Sequence, residues 1–130
     1  MRASCSIPGV FRPVRIGDRT YVDGGVVSPV AVDAARRLGA NVVIAVDISG
    51  GVAGVVPETT LDTIFQSINV MYAKIAAAQL SRADVVIHPK VGYIAPGDFT
   101  KRHEAILEGE KAAQAALPRI QALLGVPVIK

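Results

Sequence analysis

Two short runs set the terms for any fold this chain can adopt. Val42-Val43-Ile44-Ala45-Val46 and Val85-Val86-Ile87 carry no polar side chain on either face. A strand with one wet face alternates apolar and polar residues. A strand apolar on both faces belongs inside a parallel sheet with helices above and below it. Helical patterns separate and flank the two runs, so the sequence predicts an α/β fold in which parallel strands are joined by right-handed crossovers. The expected architecture is part of a three-layer α/β/α domain with mostly parallel strands plus an N-terminal hairpin. Two central strands make a thin core for three helices, and strands of this kind want neighbours that these 130 residues do not supply. Pattern alone therefore points to a portion of a larger domain, with no internal repeat and no linker.

The remaining elements are punctuated clearly. Arg12–Ile16 and Thr20–Val22 read as a hairpin around Gly17-Asp18. Asp23-Gly24-Gly25 is a sharp break, where two glycines can take positive φ and admit another backbone closely. Ser28 is a good N-cap, Pro29 suits the first helical position, and Gly39 suits the left-handed position after a helix over Val30–Leu38. Ser49–Pro57 is a Gly-rich loop. Leu61, Ile64, Phe65, Ile68, Tyr72, Ile75 and Leu80 predict a helix from Thr59 or Thr60 to about Arg82. Pro89–Thr100 is loop. Residues 102–124 return to helix, which Pro118 should kink or restart, and Val126–Lys130 is a tail.

Composition removes whole classes of function. Half of the residues are hydrophobic and 19% are charged, which excludes a disordered chain. No apolar stretch approaches the ~18–20 residues of a membrane span. Met1–Pro8 lacks the apolar centre of a cleavable signal peptide. The single cysteine, Cys5, excludes an internal disulfide and a Cys-based zinc cage. These features lead to the expectation of a soluble, reducing, cytoplasmic setting. The net charge of +3 lies wholly at the front: residues 1–40 hold six Arg against three Asp. A basic front can touch anionic headgroups or nucleic acid, although a solubilising surface is the simpler account. No motif, basic run or aromatic platform supports DNA or RNA binding.

The chemistry-bearing residues are few. None of the serines at 4, 6, 28, 49, 67 and 81 lies in a G-x-S-x-G elbow. No dinucleotide or P-loop fingerprint is present, and Gly50-Gly51-Val52-Ala53-Gly54 fits neither spacing. His88 and His103 have neither helical ligand spacing nor a cysteine partner, so no metal site is expected. His88 reads as a polar strand terminus. Cys5 has no local base and reads as a small core residue. Asp47 closes a buried strand, where α/β sheets gather ligands, but a loop-ordering carboxylate is the simpler account. Asp23 follows Thr20-Tyr21-Val22 and precedes two glycines. A carboxylate held there can be approached to the ~2.6–3.2 Å that a general base needs. An ordinary Asx-turn accounts for the same spacing.

Arg2-Ala3-Ser4-Cys5-Ser6-Ile7-Pro8-Gly9-Val10-Phe11 resembles the segment before the catalytic aspartate of patatin-like phospholipases, bacterial members included. Tyr21-Val22-Asp23-Gly24-Gly25 resembles their Asp-Gly-Gly motif, and Ser28-Pro29-Val30 with Asp33-Ala34-Ala35 the following helix. Leu38-Gly39-Ala40 leading into Val42–Ser49 resembles their next strand. Asp84–Ile87, Pro89 and Gly97-Asp98-Phe99 resemble the C-terminal part of the bacterial members.

The resemblance implies that residues 1–130 are the C-terminal part of such a domain. It implies a Ser–Asp dyad that hydrolyses acyl esters of phospholipids and other lipids, without metal or organic cofactor. Asp23 carries over as the base and Gly24 and Gly25 as its turn. The nucleophile and oxyanion loop of the N-terminal half carry over onto no residue of this chain, which suggests a truncated product or a fragment. The partners expected from it are a lipid or acyl-ester substrate, at the periphery of a membrane, together with self-association or pairing with the missing half. The alternatives are a non-catalytic remnant that binds lipid or a partner and, more distantly, an unrelated Rossmann-like module.

Overall fold

The computed structural model describes residues 1–49, 56–94 and 98–126. The Gly-rich run 50–54, Gly97 and the end of the tail lie outside the described residues. The fold is mixed α/β, with one parallel strand pair and one antiparallel hairpin. Strands β1 (Val14–Ile16) and β2 (Arg19–Tyr21) pair antiparallel around Gly17-Asp18, with Val14 opposite Tyr21 and Ile16 opposite Arg19. Helix α1 spans Val32–Arg37, α2 Thr60–Leu80 and α3 Arg102–Leu124. Strands β3 (Ile44–Val46) and β4 (Val85–Ile87) pair parallel, Ile44 with Val85 and Val46 with Ile87. The two double-apolar runs are thus neighbours, joined through α2.

Local chemistry explains most element ends. Thr59 caps α2 by accepting from the Asp62 N–H, while the Asp62 carboxylate accepts from the Thr59 N–H, so two orphan donors are satisfied reciprocally. Gly39, at φ +97°, ends α1. Its N–H donates to the Arg36 carbonyl and that of Ala40 to the Ala35 carbonyl, the paired bonds of a Schellman end.

Three expectations need correction. Ser28 does not cap α1 and Pro29 does not begin it. The chain first makes a tight turn in which Val32 N–H donates to the Val30 carbonyl at 2.8 Å, and the helix starts two residues later than Val30. Gln79 of α2 holds the segment before the helix instead, and no side chain caps α1 itself. Gln79 Oε1 accepts from Val30 N–H at 3.1 Å and its Nε2 donates to Ser28 Oγ at 3.0 Å. Gly24 and Gly25 do not take positive φ; they form a 3₁₀ turn, Gly24–Val26. Pro118 does not start a new segment, for α3 runs through it to Leu124 and forgoes one backbone bond.

The core is small. Val32, at 1% exposure, packs with Val43 and Ala45, and Val30, Ala35, Ala40, Leu80 and Ala83 close round them. Register places Ala45 and Val86 on one sheet face and Ile44, Val46, Val85 and Ile87 on the other. On this second face Val85 and Ile87 are buried, yet Ile44 is 40% and Val46 52% exposed. α3 packs on β4, so its cover stops short of β3. The expectation that both runs are buried on both faces therefore holds for β4 and fails for half of β3. No helix among the described residues is long and apolar enough to cross a membrane.

One ion pair binds the α1 end to the sheet. Asp84 Oδ2 accepts from Val43 N–H at 2.7 Å and pairs with Arg36 Nη2 at 2.6 Å. The Val43 bond, with the Arg36 guanidinium beside it, holds the Asp84 carboxyl below its ordinary 3.8. A carboxyl lowered in the folded state adds stability that is present above the unfolded value and lost as pH falls through the folded one. Asp84→Asn is therefore expected to lower the melting temperature at neutral pH, with the difference from the parent shrinking below about pH 4. Parallel thermal melts across that range check it.

Candidate active site

β2 ends at Tyr21, and two residues later the chain is pinned against the N-terminal segment: Asp23 N–H donates to the Ser6 carbonyl at 2.9 Å. Ser6 is buried and its own hydroxyl donates to the Arg2 carbonyl. Asp23 then caps the 3₁₀ turn, its Oδ1 accepting from Gly25 N–H at 2.7 Å. The Asx-turn that the spacing allowed is therefore present. Oδ1 is held by the turn, and no hydrogen bond among the described residues reaches Oδ2. Asp23 as a residue is half-buried, and its carboxylate is oriented by the Oδ1 bond.

The close approach expected at the two glycines is found at one of them. A Cβ on Gly25 would stand 3.0 Å from Asp23 Oδ1 and 3.1 Å from the Tyr72 ring, whereas one on Gly24 would meet only Ser4 Oγ, at 3.7 Å. Gly25 is needed for packing, since any side chain would push Tyr72 of α2 away from the aspartate turn. Tyr72 itself was legible only as part of an apolar helical stripe. Its hydroxyl is buried with no hydrogen-bond partner among the described residues. Burial first, and then the negative charge of Asp23, push the Tyr72 phenol above its ordinary 10.0. A tyrosine amid aliphatic residues is a weak signal, in that its polar tip needs an outlet.

No serine hydroxyl among the described residues donates to Asp23. Those of Ser6, Ser67 and Ser81 bond backbone carbonyls within their own segments, and Ser49 bonds Asp47. Ser28 receives Gln79. Asp23 therefore has no serine partner among the described residues.

A second carboxylate lies at the C-terminal ends of the parallel strands. Asp47 Oδ1 accepts from Ser49 N–H and Oγ, at 2.9 and 2.5 Å, which is the loop-ordering role expected of it. Its Oδ2 lies 3.2 Å from His88 Nδ1. Sequence reasoning weighed Asp47 and His88 separately; the β3–β4 register brings them together. His103 is exposed on α3, and no group of three potential metal ligands exists among the described residues. Cys5 is exposed, not a core residue as expected.

Residues 1–36 match the family model of patatin-like phospholipases. The matched stretch contains the hairpin, Asp23-Gly24-Gly25 and nearly all of α1, and it ends before β3. Asp47, Tyr72, Gln79 and His88 lie beyond it, so the similarity is carried by the segment that builds and presents Asp23.

Proposed function

We propose that this chain is the base-bearing C-terminal part of a patatin-like hydrolase that cleaves acyl esters of lipids through a Ser–Asp dyad. One observation carries the reading: within the matched stretch, Asp23 is held with one oxygen bonded to its own turn and the other open. A serine hydroxyl is a weak nucleophile at neutral pH and needs such a base. Asp23 Oδ2 takes the hydroxyl proton as the serine oxygen attacks the ester carbonyl. Backbone N–H donors on the serine-bearing segment hold the oxyanion, each worth roughly 10²–10³ in rate. The tetrahedral adduct collapses to an acyl-enzyme as the alcohol leaves with the proton. Water, deprotonated by the same carboxylate, then releases the fatty acid. The serine and the oxyanion donors come from a preceding segment of the domain.

A second reading is a non-catalytic lipid- or partner-binding module. The observation in its favour is that no serine bonds Asp23 among the described residues. The test is reconstitution. The chain by itself is expected to show no turnover of p-nitrophenyl esters above background and no labelling by a fluorophosphonate. Fused to, or mixed with, a segment carrying a glycine-rich loop and a G-x-S-x-G elbow, it should give labelling of that elbow serine. Labelling of the chain alone, or none in the assembled protein, would sink the proposal.

A further inference from the structure

The hairpin register sorts its side chains by face. Val14, Ile16, Arg19 and Tyr21 share one face, while Arg15 and Thr20 take the other. Val14 also lines an open cleft of about 550 Å³, together with Arg2, Cys5, Ser6, Phe11, Arg12 and Pro13. Cleft and hairpin face are therefore continuous through Val14. This surface presents three guanidinium groups, those of Arg2, Arg12 and Arg19, among apolar groups left in water. Phe11 is 57% and Ile16 58% exposed. Residues 1–22 contain a single acid, Asp18, at the hairpin tip. Neither Arg12 nor Arg19 has an ion-pair partner among the described residues.

We infer that this face docks onto an anionic lipid bilayer. Charge and apolarity together select that occupant. Guanidinium groups take phosphate oxygens, while Phe11 and Ile16 need an apolar phase, which a bilayer provides at the depth of its headgroup–acyl boundary. A second copy of the chain joined by a two-fold axis would set the same arginines against one another. A nucleic acid offers phosphates but leaves the aliphatic groups wet. The argument rests on register, exposure and charge alone and does not need Asp23 to be catalytic. Because Ser6 both lines the cleft and accepts the Asp23 N–H, docking here also brings the lipid surface beside the aspartate turn.

The test is co-sedimentation of the full chain with vesicles of phosphatidylcholine alone and of equal parts phosphatidylcholine and phosphatidylglycerol. Binding to the mixed vesicles is expected, weakening steeply with salt, and binding to the neutral vesicles should be far weaker. Arg12→Gln with Arg19→Gln should lower partitioning by about 30-fold, from two lost contacts with the anionic surface. Phe11→Ser should weaken binding without altering its salt slope. Lys90→Gln with Arg119→Gln, exposed cations outside this face, should bind as the parent does. All variants are checked by circular dichroism, and the substituted side chains are exposed, so folding and binding are read separately. Absence of binding to the mixed vesicles, equal binding to neutral ones, or equal loss in the Lys90/Arg119 control would overturn the inference. So would tighter binding to single-stranded RNA than to the mixed vesicles, or an arginine variant that alters only self-association.

Discussion

Asp23→Asn is expected to lower acyl transfer by the assembled hydrolase by ~10²–10⁴-fold, the range that a positioned general base contributes. The substitution isolates the base. Asparagine keeps an oxygen to accept the Gly25 N–H, and the Asp23 backbone N–H still reaches the Ser6 carbonyl, so the turn should persist. What it loses is the ability to accept the serine proton. Asp18→Asn at the hairpin tip and Asp47→Asn at the strand end are the matched controls. Asp18 has no role in the proposed chemistry, and Asp47 already has Ser49 and His88 as partners. Near-full activity in Asp23→Asn, or equal loss in either folded control, removes Asp23 from the dyad. Tyr72→Phe completes the set from the structural side. It deletes a buried hydroxyl with no partner among the described residues, and an unmade buried hydrogen bond costs about 1–3 kcal/mol. The melting temperature should hold or rise.

The chain alone is expected to associate in solution. Its accessible surface is 9795 Å², against about 6,600 Å² from the scaling law for compact monomers of this mass. Part of the excess is apolar and in one stretch: Ile44 and Val46 of β3 and Ile48 just beyond it are exposed, while α3 packs on β4. β3 pairs only with β4 among the described residues, so it also presents an unpaired ladder edge. Open edges beside apolar surface recruit other chains, and natural proteins blunt them with lysine. Light scattering should therefore give a dimer or larger species whose mass grows with concentration. Val46→Lys should shift that distribution toward monomer. A clean monomer with a sharp two-state melt in the parent chain would contradict this account.

What could be read from the sequence was what neighbouring residues decide among themselves. The hairpin turn, the start of α2 at Thr59, the Gly39 stop and the Asx-turn at Asp23 all depend on groups within a few positions of one another. What could not be read depends on groups far apart in the chain. Ser28 has the chemistry of a cap, but Gln79 arrives with its own amide and takes both partners, so the helix start moves. Asp47 and His88 meet only because β3 and β4 align as they do. Tyr72 belongs to the site because α2 lies across Gly25, and no local pattern encodes that packing. The double-apolar runs correctly announced a parallel sheet, yet they overstated its cover, because periodicity reports what a strand wants rather than what surrounds it.

The unequal anchoring of α2 has a consequence for motion. At about 32 Å the helix is long for so small a fold. Ala76 and Gln79 near its end are buried, while Leu61, Ile64, Val70 and Met71 along its first half remain in water. The capping box holds the first turn only locally. Transient opening should therefore run inward from Thr60 and stall before Tyr72, whose ring packs against Gly25. The Ser28–Val30 strand of chain hangs from the last turn of α2, and Tyr72 braces the aspartate turn just before it. The segment that presents Asp23 is thus fastened to the slowest-opening part of the helix. Fluctuation of the exposed half can admit or release a neighbour without disturbing the carboxylate.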